Sequence, residues 1–222
     1  MLQSWHDLLF AHWPVSQQAM REQVPASLDL DLFQGKAWIS VVPFRMSGIR
    51  PRYLPALPWL SAFAELNVRT YVVRDGMPGV YFFSLDAANP IAVRLARRFF
   101  HLPYFDADMS LSYNADWIEY SSLRTHRGAA AAEFTARYRP SGPVFRVEPG
   151  SHEEWLTERY CLYANDRHGR IWRTQIHHIP WPVQPAQCEF TRNTMTPLPD
   201  VPPLLQFSHR LDVLAWAPEL LP

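Results

Sequence analysis

The chain has 222 residues, 48% of them hydrophobic and 14% aromatic, which is enough apolar material for one buried core and favours a single domain over 1–222. Its 21 basic and 21 acidic side chains cancel. A chain without net charge is a poor nucleic-acid or membrane-surface binder, and we predict neither partner.

Compartment and redox state follow from the cysteines and from the first residues. Cys161 and Cys188 are too few for a disulfide framework and match no metal-ligand spacing. Residues 1–15 lack a basic start, and His12 interrupts their apolar run, so they do not resemble a signal peptide. We predict a cytoplasmic protein with free thiols and with neither metal nor cofactor.

Three stretches have helical signals. Residues 14–24 place Ser16 at an N-cap position, and residues 89–100 combine a capping asparagine, a proline in the first turn and basic residues near the end. Residues 151–160 begin with Ser151 and carry a glutamate three positions later, which is the pattern of a capping box.

Strand patterns dominate the rest of the chain. The predicted strands are 36–46, 65–73, 79–87, 130–140, 159–165 and 170–179. Short polar or glycine-containing connections join two pairs of them as hairpins, which predicts an antiparallel sheet. The 21 prolines favour short strands and irregular connections, as in the run 50–59. We therefore predict an α+β protein, mostly antiparallel β, with the sheet curled or closed into a barrel and a few peripheral helices.

The strand 65–73, with the sequence ELNVRTYVV, separates polar from apolar side chains. Alternation places four polar side chains on one face: Glu65, Asn67, Arg69 and Tyr71. The other face carries Leu66, Val68, Thr70 and Val72. Two interpretations remain open, because the polar face can be a solvated outer surface or the lining of a cavity.

Arg69 decides the chemistry if the polar face points inward. A buried guanidinium needs a partner, for which Glu65 or Asp86 is available, or it clamps the carboxylate of a ligand. Ser84 and Asp86 end the second hairpin strand, and Arg45 belongs to a basic cluster with Arg50 and Arg52. Our candidate ligand-binding residues are Glu65, Asn67, Arg69, Tyr71, Ser84, Asp86 and Arg45.

Several blocks of sequence, in the same order, resemble the YqjF-like family of bacterial proteins of unknown function. The blocks are HWPV (12–15), VPFRM (42–46), ELNVRTYV (65–72), GVYFFSLDA (79–87), LPYFDADM (102–109) and LTERYCLYA (156–164). The resemblance implies an acetoacetate decarboxylase-like fold, in which an antiparallel sheet forms a cone-shaped barrel around a ligand cavity.

Decarboxylase chemistry of the lysine type is disfavoured. It uses a Schiff base on an amine whose pKa is lowered, and Lys36 is the only lysine in the sequence. Lys36 follows a glycine where a turn enters a strand, and we expect it to be exposed.

Two functional hypotheses remain, and whether the protein is an enzyme stays open. In the first, the protein binds a small organic acid in a barrel cavity that contains Arg69. In the second, it is a non-catalytic interaction or structural protein without a ligand. Adjacent His177 and His178 point to opposite faces of a strand, so they do not favour a metal site.

Overall fold

The computed structural model describes residues 1–57 and 59–222; Pro58, in the predicted proline-rich connection, lies outside the described residues. The strands are β1 (Leu2–Val15), β2 (Asp29–Leu30), β3 (Ala37–Arg50), β4 (Phe63–Arg74), β5 (Met77–Ala87), β6 (Tyr104–Asn114), β7 (Trp117–Arg124), β8 (Glu133–Pro140), β9 (Cys161–Asn165), β10 (Ile171–His177), β11 (Gln184–Asn193), β12 (Leu204–Ala215) and β13 (Glu219–Leu220). The helices are α1 (Gln17–Arg21), α2 (Pro90–Phe99) and α3 (His152–Thr157).

All the strands belong to one curled sheet whose pairings are antiparallel, except where β5 meets β6 and β9. This confirms the predicted mostly antiparallel fold with few helices. The sheet forks twice: the outer edge of β5 is shared by β6 and β9, and one edge of β12 is shared by β10 and β11. A seven-strand ring results, in the order β5, β9, β10, β12, β1, β3 and β4, and we call it the small ring.

Both predicted hairpins are present. Strands β4 and β5 pair antiparallel around Asp75 and Gly76, and both residues have positive φ, as a tight two-residue hairpin turn requires. Strands β9 and β10 pair in the same way. The expectation of short strands was wrong for β1 and β3, which have 14 residues each. Strand β3 also continues through Pro43.

Helix capping follows the sequence. The hydroxyl of Ser16 accepts from the amide of Ala19, although α1 is shorter than predicted, and the side chain of Asn89 accepts from the first turn of α2. Ser151 accepts from the amide of Glu154 at the start of α3. Among the described residues, no helix combines the length and the apolar character that crossing a bilayer requires.

Successive side chains in the centres of β1, β3 and β4 are buried, so both faces of these strands are covered. One face of β4 contributes Leu66 and Val68 to a large hydrophobic core together with Phe134 and Tyr138 of β8. The other face looks into the small ring. The polar side of β4 is therefore an interior surface.

Candidate functional site

The small ring surrounds a cavity of about 630 Å³, and every strand of the ring contributes side chains to its wall. Most of the wall is aliphatic or aromatic. Its apolar members include Leu8, Phe10, Val42, Phe44, Leu85, Leu162, Ile176 and Trp181. A concave, mainly apolar cavity of this size with a few polar groups is the usual form of a small-molecule site.

Three of the predicted residues lie together in this wall. Glu65, Asn67 and Arg69 alternate along β4 with the core residues Leu66 and Val68, so the pleat of the strand directs all three toward the cavity. Each is buried, and Arg69 is only 8% exposed. The structure therefore brings a carboxyl, an amide and a guanidinium into one hollow.

Arg69 has unused hydrogen-bonding capacity. Its Nε and Nη2 are buried, and neither has a hydrogen-bond partner among the described residues. The guanidinium lies 5.5 Å from the centre of the Phe10 ring, a cation–π contact that offers no acceptor. Burial lowers the pKa of Arg69, Tyr71 acts in the opposite direction, and the charge of Arg159 lowers it further. An arginine keeps its proton in such surroundings, so the wall holds a positive charge without a protein counterion in contact.

Arg159 supplies a second guanidinium to the wall, and its charge is matched. Its Nη1 lies 2.5 Å from Oδ2 of Asp31, and its Nε donates to the carbonyl of Trp155. Its Nη2 is buried and has no partner in the described part of the chain. The site therefore offers N–H donors from two arginines. The carboxylate of Asp31 neutralises Arg159 but does not contact Arg69.

Glu65 is paired with a phenol, and within the described part of the chain it forms no hydrogen bond or ion pair with an arginine. The hydroxyl of Tyr104 donates to Oε2 of Glu65 over 2.8 Å. Burial raises the pKa of Glu65 to about 8, the bond from Tyr104 acts in the opposite direction, and Asp86 contributes a smaller increase. At neutral pH the carboxyl is therefore mostly protonated. It does not cancel the charge of Arg69.

Tyr71 shares the face of β4 with Arg69 but lies outside the cavity wall. Its hydroxyl meets the hydroxyl of Ser40 at 2.8 Å and Nδ1 of His12 at 3.1 Å, and it donates to the carbonyl of Leu156. Its ring packs 4.4 Å from that of Trp155. Tyr71 belongs to the packing that supports the arginines, and the expectation that it contacts a ligand is not supported by its position.

Three further candidates also lie outside the wall. Ser84 and Asp86 pair in register with the core residues Val68 and Leu66, so their side chains share the face of the sheet that points away from the cavity. Arg45 alternates with Phe44 and Met46, which line the cavity, and it therefore faces outward. A shift of one residue in strand pairing moves a side chain to the opposite face of the sheet. The sequence did not show that Ser84 and Asp86 pair with Val68 and Leu66, so their face was predicted incorrectly.

Asp86 was also considered as the counterion of Arg69, and this was wrong. Its carboxylate accepts from two nitrogens of Arg124: Nη2 donates to Oδ1 at 2.6 Å, and Nε donates to Oδ2 at 3.0 Å and to Oδ1 at 3.2 Å. Burial raises the pKa of Asp86, and Arg124 lowers it. A β-bulge in β5, between the partners of Val68 and Arg69, changes the register of the hairpin at this point.

Sequence reasoning missed part of the polar wall. The missed side chains are Gln3, Arg50, Tyr104, Thr157, Arg159, Thr174 and His178. Arg50 was named only as a member of the basic cluster with Arg45, and His178 was considered only as a metal ligand. Two of the family blocks already contained a signal, because LPYFDADM includes Tyr104 and LTERYCLYA includes Arg159. The pattern of residues in either block does not indicate that the block lies next to β4.

Lys36 is exposed and lies outside the cavity wall. It closes a tight turn by forming an isolated β-bridge with Phe33. Within residues 1–57 and 59–222, no cluster of three or more histidine, cysteine, aspartate or glutamate side chains is placed to hold a metal ion. The cavity wall therefore offers hydrogen bonding and charge from guanidinium, carboxylic acid, phenol, amide, hydroxyl and imidazole groups.

Comparison with solved structures identifies the fold. The enduracididine biosynthesis enzyme MppR, in a complex with pyruvate, superimposes with a TM-score of 0.67 over 99% of this chain and 89% of that enzyme, at 10% identity. Acetoacetate decarboxylase from Legionella pneumophila superimposes with a TM-score of 0.64 over 100% of this chain and 87% of that chain, at 11% identity. At these identities the similarity shows the fold alone, and the fold is acetoacetate decarboxylase-like, as the family resemblance implied.

Comparison of sequences identifies the family. The protein YqjF of Bacillus subtilis (strain 168), described as uncharacterized, is 49% identical over 221 residues, which cover 97% of this chain and 90% of YqjF. The family DUF2071, described as "Uncharacterized conserved protein (COG2071)", matches residues 2–220. The chain belongs to this YqjF-containing family.

Proposed function

We propose that this protein binds an organic acid in the cavity of the small ring, with the carboxylate of the ligand on Arg69. The single observation that carries the proposal is that two nitrogens of Arg69, Nε and Nη2, are buried in the wall of that cavity without a hydrogen-bond partner among the described residues. An isolated buried charge costs several kcal/mol, and a ligand anion relieves this cost. The planar fork of arginine matches the two oxygens of a carboxylate.

The neighbouring polar groups favour a single negative charge. Asp31 already neutralises Arg159, and Glu65 is mostly protonated at neutral pH, so Arg69 holds the one uncompensated charge among the buried groups that the structure describes in the wall. Arg50 also lines the cavity, but it is partly exposed to solvent. The free Nη2 of Arg159 adds a donor without adding a demand for a second anion. A monocarboxylate satisfies these groups better than a dicarboxylate or a phosphate does.

Binding without a covalent amine intermediate fits the residues. The only lysine is exposed and outside the cavity, so the wall offers no lysine amine for a Schiff base. MppR has been solved with pyruvate, which supports the idea that this type of barrel accommodates a carboxylic acid. A cytoplasmic location stays a prediction, and the free Cys161 and Cys188 agree with a reducing compartment.

Isothermal titration calorimetry tests the proposal. A panel of monocarboxylates is titrated into the wild-type protein and into Arg69→Gln, with the primary amides of the same acids as uncharged ligands. Loss of a charged hydrogen-bonding partner is expected to weaken acid binding by about 10-fold to 100-fold. The amides should bind weakly to both proteins.

The matched control is Arg137→Gln, because Arg137 is an exposed arginine that pairs with Glu189 on the outer surface. It should bind acids as the wild type does, and thermal melting confirms that both variants are folded. Acid affinity that is the same in Arg69→Gln and in the wild type contradicts the proposal.

A further inference from the structure

The cavity is too large for a short acid alone. At about 30 Å³ for each water-sized group, a volume of about 630 Å³ holds roughly 20 such groups. A three-carbon acid on Arg69 would leave most of the apolar wall facing empty space or poorly bonded water. The dimensions therefore call for a ligand with a substantial apolar part.

The lining face of β4 becomes less polar from one end of the strand to the other. Arg69 lies at the deep end of the lining face of β4, Glu65 lies four residues away, and Phe63 lies at the outer end. Six strand residues span roughly 20 Å, so the charged end and the outer end are well separated. Leu85, Leu102 and other apolar side chains form the wall toward the outer end.

The outer end opens to solvent through a mainly apolar mouth, where Arg50 is the charged lining residue. The exposed lining residues that the structure describes come from two segments, residues 51–57 and α2: Pro51, Leu54, Pro55, Leu57, Leu95 and Phe99. Leu54 is 58% exposed and Phe99 is 60% exposed. Exposed apolar side chains that continue an interior apolar wall mark the path of an apolar ligand.

From these three observations we propose that the ligand is an amphipathic acid, a monocarboxylate with a long hydrocarbon tail. Its carboxylate lies on Arg69, and its tail runs along the wall toward the mouth between α2 and residues 51–57. The inference rests on the proposed function and specifies its ligand class.

A chain-length series tests this inference. Saturated straight-chain acids from two to sixteen carbons are titrated below their micelle-forming concentrations, with the primary alcohol of each length as the uncharged counterpart. Each added CH2 should increase the affinity about fourfold until the tail reaches the mouth, after which the affinity should level off. The alcohols should show the same gain per CH2 from a weaker starting point.

Two variants of α2 localise the tail. Ala96 lines the cavity and Ile91 does not, although both are in the same helix. Ala96→Trp should weaken the binding of long acids at least tenfold and leave short acids unaffected, while Ile91→Gln should change neither.

The outcomes distinguish the two proposals. If short acids bind through Arg69 but added carbons give no gain, the long tail is wrong and the proposed function stands. If no acid binds, or if alcohols bind as tightly as the acids, the proposed function fails, and the inference fails with it.

Discussion

Asp86 and Arg124 form an ion pair inside the protein, with the carboxylate fully buried and the guanidinium side chain 9% exposed. The guanidinium also lies 4.3 Å from the centre of the Phe105 ring. The pair joins the end of β5 to the end of β7. These two strands do not pair directly, because β6 lies between them in the sheet. It fixes the side of β5 that points away from the cavity.

Asp86→Asn should destabilise the fold strongly. The change leaves the Arg124 charge buried without its anion, which costs about 3–5 kcal/mol. Urea denaturation at neutral pH measures the loss. The control is Glu189→Gln, which breaks the exposed pair with Arg137 and should cost less than about 1 kcal/mol. Equal losses in the two variants would contradict the account of Asp86.

The carboxyl of Glu65 should make stability depend on pH. Its pKa in the folded protein is about 8, above the ordinary 4.5, so the folded protein keeps a proton that the unfolded chain releases between these values. This contribution to stability is complete below pH 4.5 and is lost as the pH rises through 8. The free energy of unfolding should fall by a few kcal/mol, about 1.4 for each pKa unit.

Glu65→Gln keeps the shape of the side chain and removes its titration. Urea denaturation at pH 5, 6.5 and 8 should show a smaller decrease for the variant than for the wild type. The buried histidines His12 and His178, whose pKa values burial lowers, are present in both proteins and do not affect the difference. Parallel pH profiles would mean that the pKa of Glu65 is close to normal.

Lys36→Met should leave acid binding unchanged, because Lys36 is exposed and outside the cavity wall. Borohydride reduction in the presence of a keto acid should leave the mass of the wild-type protein unaltered. Mass spectrometry after the reaction provides the measurement. A reduced adduct on Lys36 would restore the Schiff-base mechanism that the sequence disfavours.

Gly79→Ala should be poorly tolerated for a steric reason. A Cβ at Gly79 would lie 2.4 Å from the carbonyl oxygen of Cys161 and 2.7 Å from Cε2 of Tyr163, where β5 runs beside β9. Such overpacking costs about 1–3 kcal/mol, which a lower urea midpoint with an unchanged slope would reveal.

Gly142→Ala is the comparison for that change, because its nearest contact is the edge of the Pro185 ring at 3.2 Å. It should cost less, since the proline ring can move slightly. A Gly79→Ala protein as stable as Gly142→Ala would show that β9 is free to shift away from β5.

Much of the local structure was predictable from neighbouring residues. Asn89 and Ser151 cap helices because their side chains accept from amides two or three residues away. The tight turn at Asp75 and Gly76 depends on glycine and aspartate tolerating positive φ. The strands β1, β6, β7, β11 and β12 and the two-residue strands β2 and β13 were not recognised. Strands β6 and β7 form a hairpin around Ala115 and Asp116, a turn without the glycine that marks the other hairpins, and β1 pairs with β12 from the far end of the chain.

The sequence by itself determined that Glu65, Asn67 and Arg69 share one face of a strand, because alternation is a property of any extended chain. Only the tertiary structure decided that this face points into the cavity. The direction depends on how the forked sheet packs Leu66 and Val68, on the opposite face, into the large hydrophobic core. The tertiary structure also decided the partners: Glu65 meets Tyr104, Asp86 meets Arg124, and Arg159 arrives from the segment after α3. These contacts join residues far apart in the chain, and no local pattern encodes them.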